Sequence, residues 1–414
     1  MLRKMVGEKI YCGLDIGSQR IKAVILKTDE RENLELLGTY AHKKNGFKDG
    51  SLSDLGEFSE GINHTINTLT QKLNVKVKEV CLGIGAYPVY VRDINALIPL
   101  VDKGNKVITA RDIQKVNEQA RLLGVNVDEE ILHDVPQSYR VDETQGVSNP
   151  LGLAARKLGV QTMILMTRGN YIENIIRGVH QAGLDVAHLG FSSYVSSGVV
   201  LTDEEKMKGS VLVDMGAQET CVLIFKEGVL RFFTKLGLGG DILTKTIAAK
   251  LHLSFDLAEE IKKSYSSVLT ADFSREEEIL VKREEAYKAI KRNVLCQAID
   301  ENILQLFAGL KQAIEASGIF QDHLPAITVM GGGAFLSGFI ERLSQEMKYP
   351  VHMAKLKTLS PKQIAAGTAL FSSAAGLANY AYKKGLRHVF SSNTHRHWAD
   401  KFTNRVKELY EEYF

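Results

Sequence analysis

Tyr11-Cys12-Gly13-Leu14-Asp15-Ile16-Gly17-Ser18, running through Gln19-Arg20 into Ile21-Lys22-Ala23-Val24-Ile25-Leu26, decides how the chain is read. It spells a strand, a tight polar turn and a second strand. An acid closes the first strand, and two residues later Gly17 lets the backbone turn without a Cβ penalty. Consecutive N–H groups in such a turn form a nest for phosphate oxygens. Asp15 repels a phosphate directly but reaches one through Mg²⁺, which keeps several waters and takes few carboxylates. Alone, Asp-x-Gly between strands also fits an ordinary hairpin.

The stretch occurs twice. Val211-Leu212-Val213-Asp214-Met215-Gly216 repeats the first strand and turn, and Thr220 to Phe225 the second strand. Lys226-Glu227-Gly228 then leads into Val229-Leu230-Arg231-Phe232-Phe233, a third strand matching Leu34-Glu35-Leu36-Leu37. Asp15, Gly17, Ile25, Lys27 and Gly38 lie 199 positions before Asp214, Gly216, Ile224, Lys226 and Gly237. The unit is a duplicated three-stranded meander with an acidic turn.

A chain of 414 residues has room for two domains with real cores. Its 44% hydrophobic and 24% charged content is that of a soluble globular protein. A net charge of +3 gives no bulk attraction to nucleic acid. Cys12, Cys81, Cys221 and Cys296 form no Cys-x-x-Cys, so buried free thiols in a reducing cytoplasm are expected. The first residues carry Arg3, Lys4 and Lys9 without an apolar stretch, and no run of 18 apolar residues occurs; neither a signal peptide nor a membrane span is expected.

Leu55, Phe58, Ile62, Ile66 and Leu69 predict an amphipathic helix over 54–73, crossing to a buried parallel strand at Val80-Cys81-Leu82-Gly83-Ile84. Residues 88–166 read as an inserted α/β subdomain, with strands at Val89 to Ile94 and Val160 to Met166, a helix at Asp112 to Leu123 and an extended stretch at Glu130 to Tyr139. It has no glycine phosphate turn, so ATP binding is expected to survive its removal. Asn170 to Ala182 and the small-residue segment Ser192 to Leu201 are predicted helices. Leu236-Gly237-Leu238-Gly239-Gly240-Asp241 precedes a helix over 241–251, and glycines before a helix N-terminus suit an anion. Residues 252–310 read as helical, with the charged run Arg275 to Glu285 as a solvated helix face. Ala326-Ile327-Thr328-Val329-Met330 is a buried strand ending in Gly331-Gly332-Gly333, where ligands approach open α/β sheets. At the end of the chain, Trp398, Phe402, Val406, Leu409, Tyr410, Tyr413 and Phe414 form one helical stripe after a polar, turn-rich linker. The stripe fits an in-plane membrane helix, which would be held by apolar insertion since three basic side chains face four acidic ones, or a helix packed on the body or on a partner protein.

Two Asp-x-Gly hairpins, a glycine-rich segment after the second meander and a strand followed by Gly-Gly-Gly resemble the actin/Hsp70/sugar-kinase superfamily of ATP-binding proteins. Within it the chain resembles the FtsA family of bacterial cell-division proteins over roughly residues 9–380. The resemblance implies an α/β, actin-like (ribonuclease H-like) two-lobed fold with duplicated mixed sheets and an inserted 1C-type subdomain. The implied division is 8–87 with 167–207 as subdomain 1A, 88–166 as 1C, 208–250 with 311–385 as 2A, 251–310 as 2B, a linker at 386–397 and a membrane-targeting helix at 398–414. Asn149-Pro150-Leu151-Gly152 resembles a segment of 1C.

The implied cofactors are ATP and Mg²⁺. Their cofactor-binding residues would be Asp15, Gly17, Ser18, Gln19, Arg20, Asp214, Gly216, Ala217, Gly239, Gly240, Glu259, Lys262, Gly331, Gly332, Gly333 and Ala334, with Asp15 and Asp214 toward the metal. Glu259 and Lys262 come from Ala258-Glu259-Glu260-Ile261-Lys262, which is similar to the family's adenine and ribose helix. The implied partners are FtsZ, further copies of the chain in a filament, cytoplasmic membrane lipids, and other division-ring proteins through 88–166, at the division site on the inner face of the membrane. The chain departs from the family in Ser18, usually Thr, and in Ala217-Gln218-Glu219-Thr220, usually richer in glycine. Where actin has a water-orienting Gln, the helix here offers Ser192, Ser193, Ser196 and Ser197, so at most weak ATPase activity is expected. Two alternatives share the fold: PilM of type IV pilus assembly, and a sugar or acid kinase, whose catalytic Asp has no counterpart here.

Overall fold

In this computed structural model the described residues are 9–385, apart from 30–32, 49–50, 87, 102, 275–276, 284–285, 321–325 and 360–367. Near-continuous apolar runs build the first lobe outward from Asp15. β1 (Ile10–Ile16) and β2 (Arg20–Thr28) pair antiparallel, Leu14 opposite Ala23 and Ile16 opposite Ile21. Both are buried on both faces, which is why they do not alternate with polar residues. β3 (Leu34–Lys43) adds to β2, and the ribbon β4 (Phe47–Lys48) and β5 (Ser51–Leu52) leads into α1 (Leu55–Leu73). Asp54 caps α1 by accepting from Glu57 N, and Phe58, Ile62, Ile66 and Leu69 form its buried stripe. The crossover returns in β6 (Glu79–Ile84), parallel to β1.

The insertion follows as β7 (Tyr90–Pro99), β8 (Lys106–Val107), α2 (Ala110–Gly124), β9 (Glu129–Val141), β10 (Thr144–Val147), β11 (Ala154–Ala155) and β12 (Lys157–Arg168). Its antiparallel sheet has the order β10-β9-β12-β7, with α2 packed on β7 and β12. Val116, Ala120, Leu158 and Val160 belong to a core of its own, as a separate unit requires. α3 (Gly169–Gln181), β13 (Asp185–Phe191), α4 (Ser192–Val200) and α5 (Asp203–Lys208) return to the body. β13, unassigned in the sequence reading, completes the sheet β13-β6-β1-β2-β3.

The second lobe repeats the plan. β14 (Ser210–Met215), β15 (Thr220–Lys226) and β16 (Val229–Leu236) form the second meander, followed by α6 (Gly240–Leu251) and α7 (Phe255–Tyr265). Residues 278–291 correct the helical expectation: β17 (Glu278–Arg283) and β18 (Ala286–Lys291) form a hairpin before α8 (Arg292–Ala316). Ile279 and Val281 are buried while Leu280 between them is exposed, the period of two that the flanking charges hide. β19 (Ile327–Met330), α9 (Phe339–Met347) and β20 (Val351–Met353) complete the sheet β16-β15-β14-β19-β20. α10 (Ser372–Lys384) packs on β1, β2 and α4 of the first lobe, rather than on the second lobe, with which 311–385 is grouped from sequence. Its small residues Ala374, Ala375 and Ala378 allow that close approach. The linker 386–397 and the helix at 398–414, with all its stripe residues, lie outside the described residues.

Candidate functional site

Both acidic turns close in the same way. Gly17 N donates to Arg20 O at 3.0 Å, and Gly216 N donates to Glu219 O at 3.0 Å. Each hairpin therefore has a two-residue tip, Ser18-Gln19 in one lobe and Ala217-Gln218 in the other. All four tip residues line one cavity of about 430 Å³, within the range of roughly 300–1,000 Å³ usual for small-molecule sites.

Adjacent residues of α4 hold the two aspartates. Ser192 Oγ donates to Asp15 Oδ1 at 2.6 Å, and Ser193 Oγ donates to Asp214 Oδ2 at 2.7 Å. Lys22 Nζ donates to Asp15 Oδ2 at 3.0 Å. Burial pulls the Lys22 ammonium down, but Asp15, with the field of Asp214, offsets this and holds it above its ordinary value. Asp214 goes the other way: burial raises its carboxyl, against the Ser193 hydrogen bond and the field of Lys22. The sequence reading missed Lys22 as a site residue. The signal was present, because a two-residue tip at 18–19 places position 22 opposite Asp15 in the ladder.

The α6 N-terminus is not open to an anion as the glycines predicted. Gly240 N donates to Gly216 O at 3.0 Å and Asp241 N to Ala217 O at 2.7 Å. A Cβ on Gly239 would meet Ala217 O at 2.5 Å, so the glycine serves this loop-to-loop contact. Asp241 Oδ1 accepts from Gln19 Nε2, a bond that crosses the cleft between the lobes. Glu219 also lines the cavity, and Lys235 Nζ lies 3.8 Å from it while donating to Ala86 O of the first lobe at 3.2 Å.

Glu259 and Lys262 brace α7 against α6. Lys262 Nζ reaches Gly240 O at 2.8 Å, Thr244 Oγ1 at 2.7 Å and Glu259 Oε2 at 2.7 Å. Burial works against the ionised Glu259, but bonds from Lys262, Lys263 and Thr244 hold its carboxyl down at about 2. In the triple-glycine loop, Gly331 has φ +91° and a Cβ there would lie 2.4 Å from Met215 O. A Cβ on Gly333 would strike the Met215 side chain, whereas one on Gly332 meets nothing within 4 Å.

Asp15, Gly17, Ser18, Gln19, Arg20, Asp214, Gly216, Ala217, Gly240, Glu259, Lys262, Gly331, Gly332 and Gly333 thus come together around one cavity. Gly239 and the buried Ala334 are not among its lining residues. Lys22, Ser192, Ser193, Lys263, Phe335 and Phe371 join that lining without having been singled out as binders. Among the described residues no three His, Cys, Asp or Glu side chains form a metal cluster, and no helix is long and apolar enough to cross a membrane. All four cysteines are buried and free.

Two duplicated sheets closing on one cleft, with an acidic hairpin from each, define an actin-like protein. Solved structures agree on the fold. The PilM-PilN type IV pilus biogenesis complex matches with a TM-score of 0.66 at 17% identity, covering 90% of this chain and 98% of that one. MreB5 of Spiroplasma citri bound to ADP matches with a TM-score of 0.51 at 11% identity, covering 91% and 98%. The sequence signature of the family described as "Cell division protein FtsA" matches residues 211–376, and that of the "SHS2 domain inserted in FTSA" matches 95–166. Proteins named cell division protein FtsA are 26% identical in Pseudomonas aeruginosa, over 91% of this chain and 90% of the relative, and 27% identical in Streptococcus pneumoniae, over 91% and 81%. The Escherichia coli protein of that name is 23% identical over 92% and 93%. The chain belongs to the FtsA family of cell-division proteins.

Proposed function

We propose that the chain binds Mg·ATP in this cleft and works as a polymerising scaffold that tethers the FtsZ ring to the cytoplasmic membrane at the division site. One observation carries the nucleotide reading: hairpins 199 residues apart in sequence present their tips to the same cavity. Ser18, Gln19, Ala217 and Gln218 would hold phosphate oxygens through their amides. Asp15 and Asp214 would hold Mg²⁺, which neutralises phosphate charge when bound. The donor set fits this, because two carboxylates, two hydroxyls and the Lys22 ammonium converge where a polyphosphate with its cation needs both signs of charge. Glu259, Lys262 and Gly331 to Gly333 would border adenine and ribose. Ser192 and Ser193 are already bonded to the aspartates and hold no water-activating base, which supports slow hydrolysis.

The subdomain ranges 8–87 with 167–207, 88–166, 208–250 with 311–385 apart from α10, and 251–310 belong to the same proposal, with FtsZ on 251–310 and other division proteins on 88–166. Residues 398–414 would lie in the membrane plane, binding weakly alone and strongly as a polymer through avidity. Calorimetric titration tests the cleft: Asp15→Ala and Asp214→Ala lose Mg·ATP affinity while Asp203→Ala, on exposed α5, does not. Equal affinity in all three sinks the assignment. Trp398 is the single tryptophan, so its emission should shift to the blue with liposomes; emission already blue and unmoved by lipid means that the helix is docked on protein. The likeness in fold to PilM supports a second reading, a peptide-binding partner in pilus assembly, which capture of FtsZ would exclude.

A further inference from the structure

Both cleft aspartates hang from α4, and α4 is tied at its root to the insertion. Phe191 is the N-cap residue of α4, and no side chain caps the helix. The Phe191 N–H, at the end of edge strand β13, instead donates to His133 Nε2 on β9 at 2.9 Å. The His133 ring is buried, 4.6 Å from the ring of Tyr194 and 5.4 Å from that of Tyr380. Burial, aided by the charge of Lys384, holds the imidazole down at about 3, so the ring is neutral and Nε2 accepts.

Four residues on, β9 reaches the other lobe. Gln161 pairs with Ser138 and Thr162 with Pro136, so Gln137 falls out of the ladder in a bulge. Bulges bend a strand and re-aim a side chain. Gln137 Nε2 donates to Leu230 O at 2.8 Å, and Arg231 Nη1 donates to Gln137 O at 2.8 Å. Leu230 and Arg231 lie on β16, the edge strand of the second sheet. Edge strands of the two central sheets are therefore joined through one strand of the insertion, beside the rings of Phe191 and Phe233, whose centroids lie 5.2 Å apart.

We propose that His133 and Gln137, neither of them in the cavity, are positioning residues for the nucleotide: β9 bolts the edge of one lobe to the edge of the other and so fixes how Asp15 and Asp214 face each other. This rests on the Mg·ATP reading above. It reverses the expectation that ATP binding survives removal of 88–166. It also makes the insertion an effector surface, because a ligand that shifts β9 changes ATP affinity, and ATP changes that ligand's affinity by the same factor.

The test uses the full chain and measures the Mg·ATP dissociation constant by calorimetry alongside the melting temperature. His133→Phe keeps the ring stack but cannot accept, and the loss of one buried hydrogen bond should weaken binding about ten-fold. His133→Gln offers an acceptor again and should recover affinity to within about three-fold of wild type. Gln137→Ala removes the side-chain half of the far tether, leaving the Arg231 bond to the main-chain oxygen, and should weaken binding about five-fold; it carries the test alone if His133→Phe does not fold. Arg140→Ala, further along β9 with its side chain bonded to Asp142 O and Glu143, should leave affinity unchanged. If wild type binds and both His133→Phe and Gln137→Ala bind as tightly, even with lower melting temperatures, the residues are merely structural and the proposal falls while the nucleotide reading stands. If wild type does not bind Mg·ATP, both fall.

Discussion

The two acidic hairpins share a backbone and differ in charge. Their tips close with the same hydrogen bond at the same distance, and adjacent serines of one helix hold their aspartates. Opposite Asp15 in the ladder stands Lys22; opposite Asp214, 199 positions on, stands Cys221. The first carboxylate, buried, is balanced by a cation at 3.0 Å, while the second is half-buried, bonds no cation of its own hairpin, and its ionisation is disfavoured by desolvation. The glycine loops differ too. A Cβ on Gly85, after β6, would sit 3.5 Å from Ile16 O, whereas one on Gly331, after β19, would sit 2.4 Å from Met215 O. Duplication kept the geometry and left the second copy short of positive charge, a deficit that a bound cation would meet.

The largest effect should come from making the first loop like the second. Lys22→Cys strands the buried Asp15 without its ammonium and should cost about 3–5 kcal/mol by urea unfolding. A loss below 1 kcal/mol would mean that Lys22 does not balance Asp15. Next, Gly331→Ala forces both a positive φ and a clash and should cost about 3 kcal/mol, against less than about 1 kcal/mol for Gly85→Ala. Similar values for the two would erase the difference between the loops.

Asp214→Asn should weaken Mg·ATP binding about 10–100-fold, the range for disturbing a metal's surroundings. The same variant should raise stability at pH 7 in the absence of nucleotide. A carboxyl whose folded-state value is raised destabilises the fold once ionised, so removing its charge helps. Asp15→Asn should act oppositely and lower stability, because Lys22 loses its partner. Equal signs for the two variants, read by thermal unfolding, would break the comparison. The smallest effect extends it to the α7 brace. Glu259 has a lowered folded-state value, so its contribution is full above about 4.5 and is lost as pH falls toward about 2. The stability gap between wild type and Glu259→Gln should close across that window; a gap unchanged down to pH 2 would show that the brace is not ionic.

Much of the cleft was legible because its information is local. A hairpin's pairing follows from the length of its tip, and an internal repeat announces itself by spacing, so Asp15, Asp214 and the duplicated sheets could be read directly. The hairpin at 278–291 was not legible: Ile279-Leu280-Val281 is an unbroken apolar run between Glu278 and Lys282, and so short an apolar run within a charged stretch fits a helix as well as a strand. The serines of α4 were noticed only for the amide they lack. Their bonds to Asp15 and Asp214 span 177 and 21 positions, and no periodicity records such pairs.

By itself the sequence determined the two strand-turn-strand units, their register and the glycine loop after β19, because each follows from apolar pattern and turn chemistry over a few neighbouring residues. Only the tertiary structure decided what those units face. It set adjacent serines of α4 against Asp15 and Asp214, closed the α6 N-terminus with the carbonyls of Gly216 and Ala217, and carried His133 and Gln137 of the insertion to the edges of both sheets. Those contacts join residues distant along the chain. They form only when sheet edges and helix ends, left with unpaired backbone groups, find partners on another element.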